Sequence, residues 1–259
     1  MDQEPIDLTV YHAIYIQISG GKDSQVSLTR IRQLAQEQGV LHRLNCIYAD
    51  AGAEWRESVI HCDWLCKQFG IPLYTVYPIR PLPDEIARRG MWPSMKCRYC
   101  TSMGKHAPIS KLVRNRHPFK EPARILMVSG ERREESPQRA KLAEFEQDTE
   151  LSAGHRQVFK YRPVLKLRKW EIWRKIRASG LKAHPAYALG NDRLSCALCV
   201  FANITDLKNG ARARPDLAQR YLEIEREKHH DFRYKQSLAS ILYPSCSFLS
   251  EPERNLVHI

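Results

Sequence analysis

Ser19-Gly20-Gly21-Lys22-Asp23-Ser24 gathers two glycines, a lysine, an acid and two hydroxyls into six residues directly after an apolar run at 13–18. The order predicts a strand that stops, a glycine turn, and a helix that starts at Asp23 or Ser24. Such a turn leaves several backbone N–H groups aimed at one point, with the positive end of a helix dipole behind them. That nest suits a phosphate, with Lys22 adding charge and Ser19 and Ser24 adding hydroxyl donors. The G-x-x-x-x-G-K-[ST] spacing of a Walker loop is absent. Read alone, the segment is also compatible with a plain turn between a strand and a helix.

Four further groups carry possible chemistry. Asp50 and Glu54, in Asp50-Ala51-Gly52-Ala53-Glu54, follow a second apolar run, at the strand end where open α/β sheets bind ligands. Asp50 can bond an adenosine hydroxyl or amino group, or simply cap a turn; Glu54 can cap the next helix or touch a metal. Gly130-Glu131-Arg132-Arg133-Glu134-Glu135-Ser136-Pro137-Gln138-Arg139 follows another apolar run, and its arginines can clamp phosphates or stabilise charge on an α-phosphate. Cys97 with Cys100, and Cys196 with Cys199, are two C-x-x-C pairs that together supply four thiolates. Zinc, a [4Fe–4S] cluster and a redox dithiol all use such pairs, and spacing does not separate them. Cys62 and Cys66, at i,i+4 spacing among apolar neighbours, read as core residues. Finally, Lys166, Arg168, Lys169, Arg174, Lys175 and Arg177 surround Trp170, Ile172, Trp173 and Ile176. The apolar four read as a buried helix face, and the basic residues as possible nucleic-acid contacts.

These groups need a frame. Short β-rich runs at 13–18, 44–49, 73–76 and 125–128 alternate with helical segments at 24–38, 54–69 and 169–179, which is the pattern of a doubly wound, mostly parallel α/β sheet. Residues 80–122 read as a Pro-, Arg- and Cys-bearing irregular insertion. The expected organisation is a nucleotide-handling domain over 1–200 and a small helical C-terminal region over 201–259. The formal charge of +12 points to a polyanionic partner. No signal-like or membrane-spanning apolar stretch is present, so a cytoplasmic location without membrane contact is expected. The eight cysteines then read as thiols, metal ligands or redox groups.

Taken in order, S-G-G-K-D-S, D-x-G-x-E at 50–54, G-x-R-x-x-E-S-x-x-R at 130–139 and the Pro-Ala-Tyr…Cys-x-x-Cys run at 185–199 resemble the phosphoadenosine phosphosulfate (PAPS) reductase branch of the pyrophosphate-loop ATPases. The resemblance spans roughly 14–202 and implies an adenine nucleotide alpha hydrolase-like fold. The lysine-bearing loop and the lack of a Glu-Cys-Gly-Leu-His-like tail argue against a true sulfonucleotide reductase, whose nucleophile would have to be Cys246. The whole pattern looks most like the ATP pyrophosphatase of DNA phosphorothioation systems of the Dnd and Ssp types.

That resemblance implies ATP and Mg²⁺ at Ser19, Gly20, Gly21, Lys22, Asp23, Ser24, Asp50, Glu54 and Gly130, with Asp23 nearest the metal. It implies catalysis by Lys22, Asp23, Arg132 and Arg139, and a [4Fe–4S] cluster (zinc as the fallback) on Cys97, Cys100, Cys196 and Cys199. The implied partners are DNA in preference to tRNA, a cysteine desulfurase as sulfur donor and other subunits of a modification complex. A tRNA thiolase, a PAPS or APS reductase, and a nucleic-acid-binding module with structural zinc are the alternatives.

Overall fold

Ala13, Ile14, Tyr15 and Ile16 of β1 (Ala13–Gln17) are all buried, because this strand lies at the centre of a sheet covered on both faces. In the computed structural model, which describes residues 6–118 and 120–244, five further strands flank it. They are β2 (Leu44–Ala49), β3 (Leu73–Val76), β4 (Ala123–Val128), β5 (Phe145–Gln147) and β6 (Arg156–Tyr161). The order is β3-β2-β1-β4-β6-β5, with every pairing parallel except β5 on β6. Ile14 lies beside Leu44 on one side and Leu126 on the other. The chain therefore leaves β1 toward β2 and later returns to β1's other flank as β4. That reversal opens a crevice at the carboxyl ends of β1 and β4.

One sheet face packs Ile14, Ile16 and Leu126 against Leu28 and Ile31 of α1 (Lys22–Glu37) and Cys62, Leu65 and Cys66 of α2 (Arg56–Phe69). The other packs Tyr15, Ile47, Ile125 and Met127 against Ile109 and Val113 of the helix Ala107–Arg116. The α/β class, the four strands read from sequence and the core placement of Cys62 and Cys66 all hold.

Three expectations change. β5 and β6 carry no apolar run; β6 reads Arg-Gln-Val-Phe-Lys-Tyr, and only its position beside β4 makes it a strand. The insertion at 80–122 is mostly helical, holding α3 (Leu82–Arg89) as well as Ala107–Arg116. The signals for α3 are present in its residues: Pro near the start, Asp84 and Glu85 in the first turn, Arg88 and Arg89 in the last, and Gly90 at φ 67° beyond it. Trp170, read as buried, is 57% exposed, and only Ile172, Ile176 and part of Trp173 face the core.

The C-terminal helices Ile204–Ala213, Pro215–Lys228 and Leu238–Leu242 do not build a core of their own. Leu207, Leu217, Tyr221 and Leu238 share one cluster with Trp55, Ile86, Trp92, Tyr99 and Leu198. The boundary expected near residue 200 runs through that cluster. Backbone contact ties it to the second cysteine pair: a Cβ built on Gly210 would lie 1.8 Å from the Ala197 carbonyl oxygen. Cys246 lies outside the described residues.

Candidate active site

Gly20 takes φ 78°, a left-handed conformation that glycine adopts without strain, and this turns the chain from β1 into α1. The His184 ring lies beneath it, 3.3 Å from where a Cβ would stand. His184 Nδ1 accepts from the Ala186 N–H (3.1 Å), and Nε2 lies 3.2 Å from Ser58 Oγ. Burial and the neighbouring His61 ring push the His184 pKa down to about 4, so the imidazole is neutral at pH 7. The loop thus rests on an uncharged buried ring.

Lys22 is 3% exposed, with its ammonium 3.3 Å from Asp23 Oδ2. Asp23 Oδ1 accepts from Arg132 Nε at 2.5 Å, and Arg132 also bonds Glu134 at 2.6 Å. Both Asp23 oxygens therefore face cations. Arg132, expected on a phosphate, is instead 4% exposed and does not reach the cavity wall; it fixes Asp23. Gly130 is a packing glycine: a Cβ there would stand 2.7 Å from Ser24 N and 2.8 Å from Asp23 C, so the β4 loop and the first turn of α1 touch backbone to backbone.

Ser19, Gly21, Lys22, Asp23 and Ser24, with Gly130 packed against them, line a cavity of about 410 Å³ that Arg139 lines as well. Arg139 is held by Glu135 and lies 3.7 Å from Glu131. The rest of the lining brings in groups that sequence reasoning missed. Lys160 pairs with Asp148 at 3.1 Å, Arg162 with Glu131 and Glu146 at 2.8 Å each, and Arg193 approaches Glu135 at 3.8 Å. Lys160 comes from β6 and Arg162 follows it, so the weak sequence signal of that strand hid them. Tyr187 and Lys105 complete the wall. The Pro-Ala-Tyr run contained the signal for Tyr187; Lys105 had none.

Asp50 and Glu54 sit beside this cavity and outside its lining. Asp50 Oδ1 accepts from the Gly52 N–H at 2.8 Å, the turn-capping role, and burial pushes its pKa up. Glu54, 7% exposed, accepts from the Ala51 and Ala53 N–H groups at 2.9 and 3.0 Å. Its other oxygen meets Lys105 Nζ at 3.2 Å and Cys196 Sγ at 3.6 Å. Burial works against its charge, but Lys105 and the backbone donors hold its pKa below the usual carboxylate value. Glu54 and Lys105 therefore form the partition between the cavity and the thiols.

Cys100, Cys196 and Cys199 lie within electrostatic reach of one another on the far side of that partition. Cys97 is exposed. Among the described residues, no group of three or more His, Cys, Asp or Glu side chains is drawn close enough to hold one metal ion. A single zinc needs its sulfurs about 3.8 Å apart, from Zn–S bonds of about 2.3 Å in a tetrahedron, and the thiols do not stand in that arrangement.

A family model described as the phosphoadenosine phosphosulfate reductase domain matches residues 13–202. The chain belongs to this PAPS reductase domain family. The match begins at β1 and ends just past Cys199, so it takes in the loop, the cavity and both cysteine pairs. Among curated proteins, an uncharacterized 37.8 kDa protein of Escherichia phage 186 is 29% identical over 147 residues, 56% of this chain and 42% of that one. An uncharacterized protein of Methanocaldococcus jannaschii is 20% identical over 215 residues, 83% of this chain and 42% of that one. The chain thus spans less than half the length of these relatives. Among solved structures, the fold is similar to a PAPS reductase from Candida auris in a phosphate complex, with TM-score 0.53, 13% identity, and coverage of 73% of this chain and 83% of that one. It is also similar to an FMN adenylyltransferase of Candida glabrata solved with FAD and inorganic pyrophosphate, with TM-score 0.51, 15% identity, and coverage of 71% and 55%. At these identities the likeness concerns the α/β fold. Among the described residues, no helix is long and apolar enough to cross a membrane.

Proposed function

We propose that the protein is an ATP pyrophosphatase that transfers AMP to an oxygen of a nucleic acid, with a DNA backbone phosphate as the favoured acceptor, so that sulfur can replace it. The observation that carries the reading is the glycine nest with the buried Lys22 ammonium on a cavity that Arg139, Lys160, Arg162 and Arg193 also line. Nest and ammonium would hold the β,γ-phosphates as the leaving group. Arg139 would face the α-phosphate or the acceptor phosphate. Asp23, clamped by two cations, is poorly placed to ligate a resident Mg²⁺; the metal would enter on the nucleotide as part of the substrate.

The family membership and the net charge of +12 support a nucleotide enzyme with a polyanionic partner. Exposed Arg168, Arg174, Lys175 and Arg177, with the Arg174 guanidinium 5.0 Å from the centroid of the exposed Trp170 ring, would form the strand-binding track. Lys166 and Lys169 contribute less, since Glu144 and Asp192 already pair with them.

Cys97, Cys100, Cys196 and Cys199, a soft and twice-paired donor set, would hold an iron–sulfur cluster with each thiolate on a different iron, zinc being the fallback on the same four thiolates. Such a cluster would supply a place to receive sulfur from a separate desulfurase.

Product analysis of labelled ATP with duplex DNA, single-stranded DNA and tRNA tests the proposal. AMP and pyrophosphate are expected, most strongly with DNA. ADP and orthophosphate as sole products would remove the mechanism, and stimulation by tRNA alone would move the acceptor to a base carbonyl. Charge reversal at Arg174 and Lys175 is expected to flatten the salt dependence of DNA binding by roughly two units for all sequences alike.

A further inference from the structure

Tyr187 carries the Trp173 ring packed edge-on at 4.9 Å between centroids, and its own phenol oxygen stands over the phosphate loop. That oxygen accepts a hydrogen bond from the backbone N–H of Lys22 at 3.0 Å. The Leu194 N–H approaches the same oxygen. A Cβ built on Gly21 would lie 3.6 Å from it, so the hydroxyl sits directly above the glycine turn. The Lys22 ammonium lies 5.6 Å from the ring centroid.

A phenol has one proton to give and two lone pairs to fill. The Lys22 N–H takes one lone pair and the Leu194 N–H approaches the same oxygen. The proton has no acceptor among the described residues, although the ring lines the cavity beside Ser19, Gly21 and Lys22. Burial pushes the phenol's pKa above its usual value, so the proton is retained at neutral pH. Orphan donors in such a setting are satisfied by water or by ligand. The Asp23 and Asp192 carboxylates act on the phenol from nearby, and Asp23 pairs with the Lys22 ammonium; the donors that remain beside the hydroxyl are that ammonium and the loop amides, which match an oxyanion.

We infer that Tyr187 is a binding residue of the phosphate loop: its O–H donates to a terminal pyrophosphoryl oxygen of the ligand while its oxygen keeps the Lys22 amide in register. The assignment rests on the reading of the loop as a pyrophosphate site. It adds a side-chain donor from a distant part of the chain, 165 residues beyond Lys22. It also distinguishes ligands. A nucleoside triphosphate and free pyrophosphate both present the required oxygens, whereas AMP does not reach the turn.

The test is isothermal titration of the full chain and of Tyr187→Phe with inorganic pyrophosphate, a non-hydrolysable ATP analogue and AMP. The Phe ring keeps the contact with Trp173 and removes only the hydroxyl. Loss of one hydrogen bond to a charged group is expected to weaken pyrophosphate and the ATP analogue roughly 10- to 100-fold and to leave AMP within about twofold. A purely structural tyrosine would weaken all three together, and that result overturns the assignment, as does unchanged pyrophosphate affinity. Should Tyr187→Phe fail to fold, Trp173→Leu, which withdraws the ring that steadies the phenol, is expected to lower pyrophosphate affinity selectively and by a smaller factor. Wild-type protein that binds pyrophosphate through Tyr187 but converts ATP to ADP would refute the pyrophosphatase reading and leave this assignment standing. Wild-type protein that binds no pyrophosphate refutes both.

Discussion

Arg132→Ala separates a residue that touches phosphate from one that holds the loop. The guanidinium is 4% exposed and makes two charged hydrogen bonds, to Asp23 and Glu134. Breaking a well-buried ion pair costs about 3–5 kcal/mol. Here the loss is smaller, because Lys22 still stands 3.3 Å from Asp23 and the Glu134 side chain is 51% exposed. A fall in unfolding free energy of about 2–4 kcal/mol is expected, equivalent to roughly 6–12 °C in Tm for a chain of this size. Urea unfolding of Arg132→Ala, Asp23→Asn and the double variant forms a cycle. Coupling of at least about 1.5 kcal/mol is expected between the two positions. Turnover should fall through a disordered loop, so ATP affinity and pyrophosphate release should decline together. A wild-type urea midpoint with no coupling to Asp23, combined with a hundredfold loss of turnover, would return Arg132 to the phosphate and refute its positioning role.

Gly130→Ala is expected to abolish nucleotide binding in equilibrium titration, because the three atoms nearest the new methyl, each under 3 Å away, are backbone and cannot swing aside; unchanged affinity would deny the backbone contact. His61 and His184 both have folded pKa values of about 4, below the usual 6.5, so the unfolded chain binds more protons between those limits and stability rises with pH. Moving from pH 7 to pH 5 is expected to cost about 2 kcal/mol per histidine, about 4 kcal/mol for the two, read from urea midpoints, and His61→Leu should remove at least half of that total, since His61 also depresses His184. Anaerobically isolated protein is expected to be brown with about four irons per chain, bleached by Cys→Ser at Cys97, Cys100, Cys196 or Cys199 but not at Cys62. Colourless protein with stoichiometric zinc would remove the cluster.

The loop, the central strands and the buried cysteines were legible because each is written locally: a glycine pair between a strand and a helix, apolar runs, thiols at helical spacing. The roles of Arg132, Gly130 and Glu54 were not. A buried arginine that pairs with an acid 109 residues away has the same local sequence as one that grips a phosphate. Glu54 kept its place after a strand, but its side chain folds back to the Ala51 and Ala53 amides. β6 escaped because a strand between β4 and the three-residue β5 can be polar wherever its side chains find partners, as Arg156 does with two backbone carbonyls. Trp170 shows the reverse error, since an aromatic residue at helical spacing lands on the solvent side once the register of the helix is set by Ile172 and Ile176.

Cys46 of β2 and Cys62 and Cys66 of α2 form a closed group between strand and helix, at 0, 0 and 2% exposure. Alkylating reagents attack the thiolate, and burial keeps the Cys62 thiol protonated as well as out of reach. The Cys46 thiol, hydrogen-bonded to the free Cys66 thiol and buried, is held back in the same way. These three positions can gain a label only when the central sheet itself opens, whereas Cys97 is exposed in the folded, metal-free chain. Mass spectrometry of a timed alkylation therefore reads two clocks in one molecule, one for the thiol loops and one for the sheet. An inactive variant whose slow clock is unchanged has lost its site and kept its fold.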